Sequence, residues 1–174
     1  MKTDSSIKID ELSWCNDSIE SCVVEVVYQS VSVYVLGIYR PPRGSIETFL
    51  ILLENLLSSE ILRNKFIVFT GDINIDLLNY SANNTLDYLN CLQSFHMLPI
   101  INKITRVSNV ENNLISGSIL DHIFINRLLT YSSGVIFHDL TDHYPTFVKL
   151  NIKTCANNNS VKKRLLFVII PMKI

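Results

Sequence analysis

Three short stretches of the chain carry acidic, amide or imidazole side chains at the ends of apolar runs. They are GDIN at 71–74, SILDH at 118–122 and TDH at 141–143. In an extended chain, residues two apart point to the same side. Asp72 and Asn74 can therefore reach one reaction centre together.

The acidic residues of these stretches predict a divalent-metal site. Asp72, Asp121 and Asp142 each lie at or near the end of an apolar run, and His143 directly follows Asp142. Three carboxylates that converge on one point repel one another unless a cation lies among them. We expect Mg²⁺, with Mn²⁺ as an alternative, because Mg²⁺ prefers oxygen ligands and keeps waters for phosphate chemistry. A histidine beside such a cluster can contact a phosphoryl oxygen.

Each stretch, taken alone, also fits a purely structural role. GDIN at 71–74 is compatible with a plain turn after a buried strand. Asp121 could pair with Arg127 or His122, and His143 could be an ordinary loop histidine. The metal-site hypothesis depends on the three stretches occurring together.

The first half of the chain predicts a strand–helix–strand unit that presents the first stretch. β-Forming residues at 22–28 and 31–39 predict a hairpin, and the apolar run at 66–70 predicts a buried strand. Between them, Ser45 is a suitable N-cap for a helix whose apolar stripe runs over 46–57. This order favours a crossover connection between two parallel strands, with the glycine after residue 70 ending the second one.

The second half predicts a helix, a long loop and three further strands. Residues 83–85 offer a cap to an amphipathic helix with a leucine-rich stripe, and the polar segment 100–117 predicts a long loop around one short strand. Segments 119–125, 135–137 and 144–152 predict strands.

Composition predicts one α/β domain without a strong electrostatic field. The 174 residues are 48% hydrophobic and 18% charged, which suits a packed core. The net charge of −1 does not attract nucleic acid globally, so any DNA binding should be weak and metal-dependent. We divide the chain into an irregular start at 1–20, a domain at 21–152 and a tail at 153–174 outside it.

Cysteine usage and the N-terminus predict an intracellular protein of the cytoplasm and nucleus. The four cysteines form no C-x-x-C pair, which favours unpaired thiols in a reducing compartment. No apolar N-terminal run resembles a signal peptide, and no segment is long enough to predict a membrane span.

The three stretches together resemble, in order and spacing, the GDxN, SxxDH and SDH motifs of the endonuclease/exonuclease/phosphatase superfamily. Tyr39 begins YRPP at 39–42, which resembles the tyrosine motif of LINE-type, jockey-like retrotransposon endonucleases. Residues 102–106 also resemble that branch. The resemblance covers roughly residues 20–152.

The resemblance implies the C-terminal part of a four-layer, DNase I-like α/β sandwich, with mixed sheets flanked by helices. The family's N-terminal half, with an asparagine and a metal-binding glutamate, should precede the Tyr39 motif by a long stretch. Only 38 residues precede it here. We therefore expect an N-terminally truncated domain that is weak or inactive by itself.

The resemblance also implies roles for the acidic, amide and imidazole residues of the three stretches. Asp72 would bind the metal and orient or deprotonate the attacking water, and Asn74 would hold a phosphate oxygen. Asp142 would be a second metal ligand. Asp121 would hydrogen-bond His143, which would contact the scissile phosphate.

Three further residues are implied as substrate contacts. Tyr39 would approach the phosphate or a metal-bound water, and Thr105 and Arg106 would bind substrate. The implied reaction is Mg²⁺-dependent hydrolysis of a phosphodiester, as DNA nicking by part of a polyprotein that also carries a reverse transcriptase. Two alternatives remain: a phosphatase or phosphodiesterase of the same superfamily, and a non-catalytic remnant or binding module.

Overall fold

A mixed sheet of six strands forms the centre of the domain. The computed structural model describes residues 5–28, 31–111, 114–138, 140–155 and 161–170. The strands of this sheet are, in chain order, β1 (Ser5–Lys8), β2 (Glu20–Tyr28), β3 (Val31–Tyr39), β4 (Phe66–Asp72), β5 (Leu98–Pro99) and β8 (Asp121–Ile125). Their spatial order is β1-β2-β3-β4-β8-β5.

The predicted strand–helix–strand unit is confirmed. Helix α1 (Ile46–Leu57) connects β3 to β4, and these two strands pair in parallel. The helix begins after Ser45, whose hydroxyl accepts a hydrogen bond from the Thr48 N–H at 3.3 Å. β4 continues through Gly71 to Asp72, two residues beyond the predicted end, because its antiparallel ladder with β8 also continues to that point.

Two helices cover one face of this sheet. Helix α2 (Asn83–Ser94) packs through Tyr88, whose ring lies 6.1 Å from that of Phe49 on α1 and 6.0 Å from that of Phe124 on β8. The predicted leucine stripe was only partly right, since Leu86 is 44% exposed. Tyr88 is fully buried in its place because the sheet below α2 presents aromatic side chains.

A smaller antiparallel sheet covers part of the opposite face. It contains β9 (Tyr131–Val135), β10 (Thr146–Cys155) and β11 (Val161–Ile170) in the order β11-β10-β9. Val148 and Leu150 of β10 are fully buried in the core shared with β8. The strand predicted at 135–137 lies earlier, at β9, since its pairing with β10 begins at Tyr131.

The predicted tail at 153–174 contains β11. This strand pairs with β10 along its whole length, from Val161 opposite Cys155 to Ile170 opposite Thr146. Residues 156–160 and 171–174 lie outside the described part of the chain.

The predicted long loop at 100–117 contains a β-hairpin instead of one short strand. Its strands are β6 (Arg106–Glu111) and β7 (Leu114–Ser118), which form a separate two-stranded sheet. Ser108 and Ser116 are exposed on the ribbon, with their hydroxyls 3.2 Å apart. The segment is rich in Asn and Ser and lacks the apolar alternation typical of a strand, so the sequence indicated one short strand where there are two.

Two more predictions concern the chain as a whole. Of the four cysteines, the three whose side chains the structure describes are free thiols. Within the described residues, no helix has the length and apolar character needed to cross a bilayer, since α1 and α2 have 12 residues each.

Candidate active site

Two carboxylates face each other across the centre of the six-stranded sheet. Asp72 at the end of β4 and Asp121 at the start of β8 are direct partners in the antiparallel ladder. Directly opposite residues project their side chains from the same face, so strand pairing alone brings these two acids together. Like charges in this arrangement repel each other, and only a compensating group makes it favourable.

His143 completes the cluster from a loop between β9 and β10. Its Nδ1 lies 2.9 Å from Asp121 Oδ2, and the two side chains are mostly buried. Ligand atoms of Asp72, Asp121 and His143 all lie within 4.8 Å of one another. This spacing lets the three side chains contact one divalent cation.

Backbone hydrogen bonds to the start of the β6–β7 hairpin hold the loop of His143 in place. The Tyr144 N–H donates to the Thr105 carbonyl at 2.7 Å, and the Val107 N–H donates to the Asp142 carbonyl at 2.9 Å. His143 thereby forms an isolated antiparallel bridge with Arg106. The hairpin start thus fixes the third member of the cluster.

Gly71 allows the end of β4 to approach β3. Its φ is +148°, and a Cβ at this position would collide with the carbonyl oxygen of Ile38. Glycine is the residue that tolerates both conditions. Tyr39, which follows Ile38 at the end of β3, lines a cleft of about 620 Å³ together with Asp72 and Asp121.

Asn74 forms both the predicted turn and a contact with the end of β3. Its φ is +53°, a left-handed conformation that asparagine adopts more readily than most residues. Its N–H donates to Asp72 Oδ1 at 3.2 Å, and its Nδ2 donates to the Arg40 carbonyl at 2.8 Å. Asn74 therefore belongs both to the turn after β4 and to the candidate site, so the two interpretations of GDIN at 71–74 are compatible.

Arg40 is a buried component that the sequence reasoning did not assign. Its Nη2 donates to the Gly44 carbonyl at 2.8 Å, and its Nη1 lies 3.4 Å from the carbonyls of Ile73 and Asn74. Its own N–H donates to the Asp72 carbonyl at 3.0 Å. Arg40 thus stabilises the turn after β4. In the sequence, its position between Tyr39 and two prolines was the available signal of this role.

Thr105 lies beneath the cluster and is fully buried. Its hydroxyl accepts hydrogen bonds from the N–H groups of Leu120 and Asp121, both at 3.0 Å. The predicted substrate contact therefore has no exposed surface in this structure, and its hydroxyl instead fixes the start of β8.

Asp142 and Arg106 bond to each other rather than to the cluster. Arg106 Nε donates to Asp142 Oδ2 at 2.8 Å, and the side chains are 44% and 54% exposed. The structure thus brings Asp72, Asp121 and His143 together and places Asp142 beside them on the guanidinium.

The charges within the site shift the pKa values of its carboxyl groups. Burial, followed by the nearby Asp121 charge, raises the pKa of Asp72, whereas His143 opposes the rise. Burial also raises the pKa of Asp121, against the effects of His143 and of a hydrogen bond from Thr105. The hydrogen bond from Arg106 lowers the pKa of Asp142. Two adjacent, partly buried carboxylates form a donor set that suits a hard divalent cation.

His122 points to the opposite face from Asp121 and belongs to the core. Its Nε2 lies 2.9 Å from the Ile119 carbonyl and therefore donates, so Nδ1 accepts from the Tyr88 hydroxyl at 3.0 Å. Burial lowers the pKa of His122 to about 4. The alternative pairings of Asp121 are not what the structure shows, because Arg127 donates to the Asn64 carbonyl instead.

Comparison with known proteins gives a structural match and no sequence match. No family model matches this chain. No curated protein matches it by sequence either. The chain does superpose on the endonuclease domain of TRAS1, a telomere-specific non-LTR retrotransposon, with a TM-score of 0.62. This alignment has 14% identity and covers 83% of this chain and 67% of that one.

Two further solved structures agree on the architecture. An endonuclease/exonuclease/phosphatase family protein from Leptotrichia buccalis gives a TM-score of 0.55 at 17% identity, covering 94% of this chain and 61% of that one. A humanized D. rerio TDP2 gives 0.55 at 13% identity, covering 80% and 63%. The chain has the endonuclease/exonuclease/phosphatase fold. It spans about three fifths to two thirds of the length of these structures. The described residues form three of the four predicted layers, namely the helices, the six-stranded sheet and the three-stranded sheet.

Proposed function

We propose that this chain carries the catalytic centre of a metal-dependent phosphodiester hydrolase that nicks DNA. The observation that carries the proposal is the convergence of Asp72, Asp121 and His143, with ligand atoms within 4.8 Å of one another. The fold, whose neighbours include a retrotransposon endonuclease domain and TDP2, supports the same class of reaction.

Asp72 and Asp142 would hold Mg²⁺, or Mn²⁺ in its place. The donor chemistry fits at Asp72, a partly buried carboxylate whose neighbour Asp121 disfavours its charged form, and Asp142 lies beside this cluster on the Arg106 guanidinium. Once bound, a divalent cation neutralises charge on the phosphate oxygens.

His143 would stabilise the charge that develops on the phosphoryl group. Acting as an imidazolium, His143 would donate its Nδ1–H to Asp121 Oδ2, at 2.9 Å, and its Nε2–H to a phosphoryl oxygen. Asp72 would orient the attacking water or accept its proton. Thr105 would act indirectly by fixing the N–H groups next to Asp121.

Three polar groups would contact the substrate from the rim. Tyr39 lines the same cleft as Asp72 and Asp121. One amide hydrogen of Asn74 donates to the Arg40 carbonyl. Its side-chain oxygen and second amide hydrogen would contact a substrate hydroxyl or phosphate. Arg106 would supply the positive charge for the phosphate.

We further propose that the chain belongs to a LINE-type retrotransposon protein that also carries a reverse transcriptase and acts in the cytoplasm and nucleus. The YRPP stretch at 39–42 and the superposition on the TRAS1 endonuclease domain support this branch. With a net charge of −1, DNA binding should be weak, salt-sensitive and dependent on the metal.

A supercoiled-plasmid nicking assay tests the proposal. We expect weak nicking with Mg²⁺ that EDTA abolishes, and loss of this nicking in Asp72→Ala and His143→Ala. Asp87→Ala on the exposed face of α2 is a matched carboxylate control. His96→Asn is the histidine control, because asparagine tolerates the φ of +58° at that position.

The alternatives give different results in the same assay. Equal nicking by all variants would place the activity elsewhere and refute the proposed centre. Hydrolysis of a small phosphomonoester without nicking would indicate a phosphatase. A folded protein that is inert on both substrates would indicate a non-catalytic module.

A further inference from the structure

The Arg106–Asp142 ion pair occupies two side chains that the proposed reaction needs separately. Arg106 Nε donates to Asp142 Oδ2 at 2.8 Å. In the proposed function, Arg106 binds a phosphate and Asp142 binds the metal. While the pair is closed, the guanidinium neutralises the carboxylate, so each group is less available to its assigned partner. The inference drawn here rests on that proposed function.

This ion pair is inexpensive to open. The two side chains are 44% and 54% exposed, so water solvates both charges after separation. An exposed pair of this kind shifts an equilibrium by about fivefold at most. A phosphate with two accepting oxygens offers Arg106 a stronger, bidentate partner than the present single contact.

The backbone around the pair is already fixed, so only side chains need to move. The Val107 N–H donates to the Asp142 carbonyl at 2.9 Å, and Arg106 forms a β-bridge with His143. Both side chains therefore stay beside His143 whether or not they contact each other. Asp142 directly precedes this histidine, whose Nδ1 contacts Asp121.

We propose that Arg106 exchanges partners when substrate binds and thereby couples substrate binding to metal binding. In the free protein, Arg106 neutralises Asp142. A phosphodiester then takes the guanidinium, and the released Asp142 carboxylate becomes available to the divalent cation. Substrate and cation consequently increase each other's affinity, as thermodynamic linkage requires.

A double-mutant cycle on metal affinity tests the exchange without catalysis. The four proteins are the wild type, Arg106→Met, Asp142→Asn and the double variant, and free Mn²⁺ is measured by electron paramagnetic resonance. We expect Arg106→Met to bind Mn²⁺ about fivefold more tightly than the wild type, the most an exposed pair can withhold. In the Asp142→Asn background, the same substitution should change the affinity less than about twofold, through the screened field alone.

A mirrored cycle on DNA affinity tests the other half of the exchange. Binding of a short duplex is measured by fluorescence anisotropy at low salt in EDTA, where no hydrolysis occurs and the residual, metal-free binding reports on Arg106. Asp142→Asn should tighten DNA binding severalfold when Arg106 is present and much less in the Arg106→Met background. Thermal unfolding of all four proteins checks the fold, which an exposed pair should barely affect.

Each outcome supports or overturns the inference. Equal gains in Mn²⁺ affinity from Arg106→Met in both backgrounds would mean that only the general field changes, and the exchange would be wrong. Asp142→Asn weakening Mn²⁺ binding as much with Arg106 as without it would also overturn it. Failure of every variant to bind Mn²⁺ or nick DNA would instead refute the proposed function.

Discussion

Lowering the pH from 7 to 5 should destabilise this protein through one buried side chain, His122. Burial lowers the pKa of His122 to about 4, whereas the same group titrates near 6.5 in the unfolded chain. Between these two pKa values, His122 is therefore mostly protonated in the unfolded chain and mostly neutral in the folded protein. Stability rises with pH wherever the unfolded state binds more protons, so it must fall as the pH falls from 7 towards 4.

The size of the effect follows from the two pKa values. Linkage between about 6.5 and about 4 predicts a loss of roughly 2 kcal/mol between pH 7 and pH 5, approaching about 3 kcal/mol below pH 4. The folded state protonates His122 only near pH 4, because burial disfavours the imidazolium. Protonation at Nδ1 would also require the Tyr88 hydroxyl, now donating at 3.0 Å, to rotate and accept.

The assay compares urea unfolding of the wild type and His122→Gln between pH 7 and pH 5. Glutamine keeps a donor and an acceptor but does not titrate. The variant should be less stable at pH 7, and the difference between the two proteins should shrink by about 2 kcal/mol at pH 5. Asp72 and Asp121, whose pKa values are raised, titrate in both proteins, so their contribution cancels in the difference. Parallel stability curves for the two proteins would refute the reasoning.

Two further substitutions test how the site is positioned. Gly71→Ala should cost at least about 2 kcal/mol of stability, since a Cβ meets the Ile38 carbonyl at a φ of +148°, whereas Gly44→Ala should change thermal unfolding little. A Gly71→Ala protein as stable as the Gly44→Ala protein would contradict the close approach. Thr105→Val should lose about 1–3 kcal/mol by leaving two buried N–H groups unsatisfied, while Thr105→Ser should keep most of it. Urea unfolding measures both variants, and equal losses of stability would contradict the assignment of this stabilisation to the hydroxyl.

Local sequence patterns were sufficient to predict the elements that carry Asp72 and Asn74. The apolar run at 66–70, the helix over 46–57 and the parallel pairing of β3 with β4 depend on periodicity, capping and chain connectivity. These are interactions within a few residues or between consecutive elements, so the sequence displays them directly. The same holds for the turn of Asn74, whose N–H returns to Asp72.

Solvent-exposed and non-periodic elements were not predictable in this way. The polar segment 100–117 lacks an alternation of apolar residues, so it resembled a loop although β6 and β7 pair there. The partly wrong stripe of α2 has a related cause: Tyr88 is buried because Phe124 and His122 lie across from it, and those residues come more than thirty positions later.

By itself, the sequence determined which residues can do chemistry and on which strands and loops they lie. Only the tertiary structure decided which of them meet. Asp72 faces Asp121 because β4 and β8 pair antiparallel in one register, and a slip of one residue would turn one carboxylate to the other face. His143 joins them, and Asp142 pairs with Arg106, because the hairpin start holds the last loop at that edge. Register and loop docking depend on contacts between residues distant in sequence, and no local pattern records them.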